Sequence, residues 1–451
     1  MKTLNTSTIA AAVNGRAVGE ANVSAVFTDS RKPVHGGMFI ALEGDNFDGH
    51  AFIDSAVKSG ASAVMCRKET NADIPVIYVD DTKKALLDLG AYYRSTFDIP
   101  VIGLTGSVGK TTTKDMIALV AGAKYNTLKT QGNLNNDIGM PLTLLSMDEN
   151  TQCAVIEMGM NHLGEISRLT RASRPTIGVI TNVGVSHIEN LGSRENILKA
   201  KLEIIEGMEK GSPLILNGDN DLLSTVMSER FKVVFFSVTN PVCKIRADDV
   251  KEDGLFTEFT VSAYGEKVRV RLPAIGIHNV YNALAAVAVG RELGISLSEC
   301  ADALGHYVPS GMRQNIVNKN GITFIEDCYN ASPDSVKATL NTLSKINAQR
   351  RIAVLGDMLE LGSFSENAHR LCGEYCASAG IDILFTYGEK SKDIAVSAKD
   401  HGMKNVESFA DEDELSSRLA SVLKEGDAVS FKASHGMRLE NVIKKVYEMI
   451  G

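Results

Sequence analysis

Short, nearly continuous apolar runs punctuate this chain, and between them lie stretches whose apolar residues recur every three or four positions. Runs of the first kind read as strands buried on both faces. Stretches of the second kind read as amphipathic helices. Their alternation predicts an α/β fold with parallel sheets covered by helices. In residues 1–97, MFIAL (38–42), SAVMC (62–66) and PVIYV (75–79) are expected strands, and AFIDSAVKSG and KKALLDLGAYYRSTF expected helices, which makes a small α/β unit. In residues 98–312 the expected strands are PVIGLT (100–105), CAVIEM (153–158), TIGVITNV (176–183), SPLILN (212–217) and KVVFFSV (232–238). The alternating stretch LFTEFTVSAYGEKVRVRLP (255–273) predicts a hairpin turning at YGEK, followed by a helix through NVYNALAAVAVGREL. Residues 313–451 start afresh with ITFIED, RIAVLGD, DILFTYG and DAVSFKAS, each leading into a helix or loop. That is the pattern of a Rossmann-like, doubly wound domain, but G-x-G-x-x-G is missing and a dinucleotide is not indicated.

Composition narrows the class. Of 451 residues 44% are hydrophobic and 23% charged, an ordinary balance for a chain of two or three domains. With 47 basic and 55 acidic residues the net charge is −8, which argues against nucleic-acid binding and membrane insertion. An anionic substrate must then be held by local groups. The seven cysteines are scattered, and no second pair joins Cys372 and Cys376 in a zinc pattern. An odd count without a signal peptide reads as reduced thiols, and the expected location is cytoplasmic.

The chemistry begins at GLTGSVGKTTTKD (103–115), between the apolar IPVI and DMIALVAG. The strict G-x-x-x-x-G-K-[ST] pattern wants its first glycine at position 104, where this chain has Leu104. The order strand, glycine-rich turn, Lys110, Thr111, helix is nonetheless what a phosphate cradle needs. Gly106, Ser107, Val108 and Gly109 are expected to wrap backbone N–H groups around phosphate at a helix N-terminus. Lys110 adds a cation near the β/γ-phosphates, and the Thr111 hydroxyl, followed by Thr112, can reach Mg²⁺.

Further candidates lie at strand carboxyl ends, where open α/β sheets bind ligands. Glu157 closes CAVIEM and is a candidate metal carboxylate. His187 follows TIGVITNV. Lys201 lies on a helix expected from Ser193, its N-cap, through RENILKAKLEIIEGM. It stands four residues from Ile197 and from Ile205, on the apolar stripe with Ile204 and Met208. Burial would lower its pKa, and a neutral amine can add CO₂ to become a carbamate. A snorkelling lysine fits the same position.

GSVGKTTTKD, TQGNLNNDIGMPLTLL (130–145), EMGMNHLGEI (157–166), the segment from His187 to Lys201 and GIHNVYNALAA (276–286) together resemble the Mur ligases, which build the peptide stem of bacterial cell-wall precursors. The resemblance spans essentially the whole chain. GNLNNDIGMPLTLL, EDCYNASPDS (326–335) and VLGDMLELG (354–362) are most similar to the branch that adds D-alanyl-D-alanine to UDP-N-acetylmuramoyl-tripeptide. It implies three domains. Residues 1–97 would bind the UDP-sugar-peptide, with Ser30 and Arg31 and the turn Asp48–Gly49–His50 near the uridine diphosphate. Residues 98–312 would form the ATPase, on a family loop, T-G-[ST]-x-G-K-T, whose first glycine falls two places later and is supplied by Gly106. Residues 313–451 would close over ATP and bring the dipeptide. The resemblance further implies a catalytic set of Lys110, Glu157, His187 and a carbamylated Lys201. Mg²⁺ would be held by Thr111, Glu157, His187 and the carbamate. Asn279 and Asn282 would lie at adenine, Asn279 reading otherwise as a helix N-cap. Arg313 would lie near the phosphates and Asp327 at the ribose. Asn133, Asn136, Tyr329, Asn330, Ser332 and Lys432 are implied substrate groups, although Ala433 replaces the family's usual glycine beside Lys432. Its expected partners are the two small-molecule substrates, and a monomer is expected. A different amide ligase of this superfamily, and an ATP-dependent switch that makes no bond, are the alternatives at this point.

Overall fold

The computed structural model describes residues 1–44 and 47–451. Its architecture is the expected α/β one, organised on three main sheets. The first runs Arg16–Val18, Val76–Tyr78, Ala63–Cys66, Met38–Ile40, Val26–Phe27, parallel except for the antiparallel edge at Arg16–Val18.

The central sheet has nine strands. From Thr127–Lys129 it passes through Cys153–Glu157, Val101–Thr105, Ile177–Ile180, Pro213–Asn217 and Lys232–Ser237 to Ile245–Asp253, all parallel. Every residue of Val101–Thr105, Cys153–Glu157 and Ile177–Ile180 is buried, as continuous apolar runs require. The hairpin Phe256–Ala263 and Glu266–Leu272 closes the far edge antiparallel, turning on Tyr264 and Gly265. Both turn residues have positive φ, 49° and 91°, which matches the right-handed twist of the strands. The strand Ile245–Asp253, with its charged run ADDVKED, had no apolar signature to predict it.

Strand order decides where a ligand can sit. From Val101–Thr105 the chain continues towards Thr127–Lys129 on one side, and from its neighbour Ile177–Ile180 towards Pro213–Asn217 on the other, so a crevice opens between their carboxyl ends. TIGVITNV is strand only over Ile177–Ile180, because Thr181 and Asn182 turn their side chains onto the backbone of residues 107 and 108. In the third sheet Ile322–Glu326, Asp427–Lys432, Arg350–Gly356, Ile383–Tyr387 and Val406–Phe409 run parallel, with Asn315–Lys319 antiparallel at one edge.

The first sheet is fastened to the central one through helix Thr82–Ser95, which packs on helices Gly139–Leu145 and Glu165–Ser173. Gly90 lies so near Pro141 that a Cβ would come within 2.8 Å of its ring. Arg94, only 6% exposed, donates to the carbonyls of Ser173 at 2.9 Å, Phe97 at 2.6 Å and Arg174 at 3.4 Å. Burial lowers its pKa, so these carbonyls are what keep the guanidinium tolerable there. Replacing Arg94 by Ala leaves buried acceptors without donors. The expected outcome is a loss of about 3 kcal/mol, read as a lower urea midpoint for the N-terminal half, with Arg94→Lys recovering only part of it.

Candidate active site

A cleft of about 1310 Å³ opens between the carboxyl edge of the central sheet and the third sheet. Its floor is the turn after Val101–Thr105. Gly106 lies against the neighbouring strand end, where a Cβ would come within 1.8 Å of the Thr181 hydroxyl. Gly109 has φ 78°, and a Cβ there would meet Asn282 Oδ1 at 2.7 Å. Helix Lys110–Gly122 follows without a side-chain cap, so the amides of Lys110, Thr111 and Thr112 present unpaired N–H groups and the positive end of the helix dipole. The amides of Ser107 and Val108 are engaged within the loop, donating to Asn182 Oδ1 at 3.0 and 2.9 Å. Lys110 Nζ donates to the Gly106 carbonyl at 2.7 Å. Loss of water in the cleft lowers the Lys110 pKa, against the opposing charge of Glu157.

Glu157 stands beside this loop, 2% exposed. Its Oε2 accepts from Thr111 Oγ1 at 3.0 Å and its Oε1 from Asn135 Nδ2 at 2.8 Å. A hydroxyl and a carboxylate so placed form a hard oxygen pair. His187 adopts a left-handed backbone, φ 64°, that turns its ring into the cleft. Its Nδ1 lies 2.7 Å from Glu360 Oε2 of the third-sheet unit, but off the line a hydrogen bond needs, and it has no hydrogen-bond partner. The imidazole draws the Glu360 pKa down.

Lys201 is 1% exposed and has no ion pair among the described residues. Burial, and next the nearby charge of Lys110, push its pKa well below the usual 10.5. The helix ends sooner than expected, at Leu202, and tightens to 3₁₀ over Glu203–Gly207. Thr170 Oγ1 takes the Ile204 carbonyl at 2.6 Å, an acceptor that a continuing α-helix would use, and Gly207 presses on the Thr170 backbone. Ile197 and Ile204 still flank Lys201 in the core, while Ile205 is only half-buried.

On the opposite wall, Asn279 and Asn282 face the cleft from helix Ile277–Glu292, which is capped by Gly276 and not by Asn279. Asn282 Nδ2 donates to Asn279 Oδ1 at 3.3 Å, and Thr113 Oγ1 donates to Asn282 Oδ1 at 2.9 Å. The third-sheet unit supplies Arg313, stacked 4.0 Å over the Tyr329 ring, and Asp327. Lys432 Nζ ties the Asp327–Asn330 turn together, reaching Asp327 Oδ2 at 3.0 Å and the Asn330 carbonyl at 2.7 Å. Ser332 is the N-cap of helix Pro333–Lys345 and forms a capping box with Ser335. Asn133 lines the cleft, and Asn136 caps Gly139–Leu145 through its Oδ1.

Ser30, Arg31, Asp48, Gly49 and His50 lie outside this cleft, on the first unit. Arg31 pairs with Asp29 at 2.8 Å. His50 Nε2 accepts from the amides of Arg67 and Lys68 at 3.0 and 3.2 Å, so Nδ1 carries the proton and faces Asp48 Oδ1 at 2.7 Å. Lys68 bridges Glu43 and Asp48. This group is a closed ion network with no lone pair on His50 to spare for a cation. Asn135, Asn182 and Glu360 escaped the sequence reading. All three lie inside segments quoted from the sequence, but nothing in a lone polar residue says which group it will meet.

Models of this chemistry match three stretches: the Mur ligase family catalytic domain over 22–94, the Mur ligase middle domain over 104–290, and the Mur ligase glutamate ligase domain over 312–435. The chain is 41% identical to the UDP-N-acetylmuramoyl-tripeptide–D-alanyl-D-alanine ligase of Bacillus subtilis, covering 94% of this chain and 93% of that protein. It is 36% identical to the Escherichia coli enzyme of the same name, over 97% and 96%. The crystal structure of MurF from Acinetobacter baumannii superposes with a TM-score of 0.92 at 30% identity, covering 99% of each chain. MurF from Thermotoga maritima in complex with ADP superposes at 0.85 and 28% identity, over 94% and 97%.

Because Gly109 combines a left-handed φ with contact to Asn282, Gly109→Ala is expected to distort the loop at a cost of about 1–3 kcal/mol. ADP affinity, measured by calorimetry, should fall at least about tenfold while the unfolding midpoint moves little.

Proposed function

The chain belongs to the Mur ligase family, and we infer that it is an ATP-dependent ligase joining D-alanyl-D-alanine to UDP-N-acetylmuramoyl-tripeptide in peptidoglycan precursor synthesis. One observation carries this reading. The phosphate loop, Glu157 and His187 of one unit face Arg313, Asp327 and Tyr329 of another across a single cleft, in a chain similar from end to end to ligases of that name.

The roles follow from where the groups stand. The first-turn amides of Lys110–Thr112 and the Lys110 ammonium hold the phosphates of ATP, and Asn279 and Asn282 receive its adenine. Asp327 holds the ribose and Arg313 the phosphate charge. Ser30, Arg31 and the Asp48–Gly49–His50 turn take the uridine diphosphate end. Asn133 and Asn136 border the peptide, and Tyr329 and Asn330, in the turn tied by Lys432, border the dipeptide. Thr111 with Glu157 fits Mg²⁺, because both are hard oxygen donors already within 3.0 Å of each other. His187 faces the same cleft, where its imidazole would serve a second site. Lys201 is not among the residues lining the cleft, but it is near enough to Lys110 to feel its charge, and it would complete that site as a carbamate, since burial favours the neutral amine that adds CO₂. Mg²⁺, when bound, supplies neutralisation of the charge that builds up on the phosphates.

The terminal carboxylate of the tripeptide attacks the γ-phosphate of ATP, giving ADP and an acyl phosphate. Lys110 and the first-turn amides of Lys110–Thr112 stabilise the charge shared between the phosphates and position them. The dipeptide amine then adds to the acyl carbon, and inorganic phosphate leaves the tetrahedral intermediate. An acyl phosphate hydrolyses in bulk water, which is the reason for a cleft closed between two units. No helix among the described residues is long and apolar enough to cross a membrane, which is consistent with a cytoplasmic enzyme acting on soluble precursors.

The test is ADP release with ATP, Mg²⁺, bicarbonate and UDP-N-acetylmuramoyl-tripeptide, with and without D-alanyl-D-alanine. Release that requires the dipeptide, with the mass of a pentapeptide product, is expected. Release with no dependence on the dipeptide would overturn the reading. Lys201→Ala should lower turnover by at least about a hundredfold. Buffer purged of CO₂ should slow the wild-type protein reversibly, with bicarbonate restoring it.

A further inference from the structure

The amine of a dipeptide arrives as an ammonium ion and must lose a proton before it can attack. Seven carboxylates line the cleft, and six already have partners. Glu157 is held by Thr111 and Asn135, and Glu360 lies against His187. Asp327 is held by Lys432 and Thr339. Asp219 accepts from the hydroxyls of Ser237, Thr239 and Tyr281 and from two backbone amides. Asp137 pairs with Arg168, and Glu165 accepts from the Asn161 amide beside His162. Asp334 alone has neither a hydrogen bond nor an ion pair among the described residues.

Its position suits the missing step. Asp334 is in the first turn of helix Pro333–Lys345, immediately after the Tyr329–Ser332 turn. Its carboxylate crosses to the central unit, where a Cβ on Gly184 would come within 2.7 Å of Oδ2. The Gly184 amide in turn donates to Ser107 Oγ of the phosphate loop at 2.9 Å. The carboxylate therefore stands between the dipeptide-bordering turn and the loop that holds the phosphates. The residue as a whole is exposed, and it is the loss of water around its carboxylate in the cleft that raises its pKa, an effect opposed by Arg194 and by Lys337 on its own helix. Arg194 is itself paired with Asp221, and Lys337 lies over the Tyr375 ring. Cys372 and Tyr375, on helix Ser365–Ser378, are the titratable groups that face it from the other side.

We propose that Asp334 is the carboxylate that receives the incoming ammonium and takes its proton. The proton passes from nitrogen to an Asp334 oxygen, and the freed lone pair forms the C–N bond to the acyl carbon. The C–O bond to phosphorus-bound oxygen then breaks, phosphate leaves with that electron pair, and it carries off the second nitrogen proton. The assignment rests on the ligase reading above and concerns only its second half.

The experiment separates the halves. Wild type, D334N and D334S are each given ATP, Mg²⁺, bicarbonate and UDP-N-acetylmuramoyl-tripeptide, with either D-alanyl-D-alanine or hydroxylamine as nucleophile. Hydroxylamine is uncharged at neutral pH and needs no base, so hydroxamate formation reports the acyl phosphate alone. Both variants are expected to form hydroxamate at the wild-type rate and pentapeptide about a hundredfold more slowly. Variants that make pentapeptide at the wild-type rate, or that lose both products equally, would overturn the role of Asp334. A wild-type protein that forms neither product would overturn the ligase reading and this role with it.

Discussion

At the carboxyl end of strand Val101–Thr105 the backbone must turn directly against Ile177–Ile180, and there is no space for a side chain at Gly106. That close approach allows the Thr181 hydroxyl to bond Val108 and the Asn182 amide to hold two loop N–H groups. With the turn pinned in this way, helix Lys110–Gly122 starts with its unpaired amides at the mouth of the crevice. Glu157, at the end of the strand on the other side, is brought onto Thr111 by the same strand order. The phosphate loop and its carboxylate are thus consequences of one packing constraint between neighbouring strands.

The third-sheet unit is tied to that centre at several points. Ser310, in the segment joining the two units, donates to Asp115 on the loop helix. Gln314, with φ 51°, accepts from Asn279 at 3.2 Å and lies 2.9 Å from His278 Nε2. Glu360, also with positive φ, reaches His187. The connector therefore touches both the helix behind the phosphate loop and the helix that carries the two asparagines. Movement of the third unit would therefore act on both helices at once, which is the coupling a reaction through a water-sensitive intermediate calls for.

A chain of net charge −8 accommodates anionic substrates by concentrating cations where water is scarce. Lys110 and Lys201 both have lowered pKa values because burial disfavours their charged forms, with Arg313 adding to the effect at Lys110 and Lys110 adding to it at Lys201. The difference between them is their surroundings. Lys110 has the carbonyl of Gly106 and the opposing charge of Glu157, whereas Lys201 has no hydrogen bond and no ion pair among the described residues. The charged form therefore has local support at Lys110 and none at Lys201.

Much of this was legible in the chain. Continuous apolar runs marked the parallel strands, because a strand covered on both faces has no polar side. GSVGKTTT marked the loop, because few residue orders combine a tight turn with an open helix start. The apolar stripe around Lys201 showed the face it occupies, since helix periodicity is local, but left a snorkelling lysine open until the structure showed it buried. What the chain did not carry was the early end of that helix at Leu202, decided by a hydroxyl on another helix. Nor did it carry the grips of Asn135 and Asn182, the meeting of His187 with Glu360 or the solitude of Asp334. Local sequence determines which strands and helices can form and which groups they offer. Only the tertiary structure decides which partners those groups find, because hydrogen bonds and ion pairs between residues distant in the chain depend on how the sheets are ordered and the units packed.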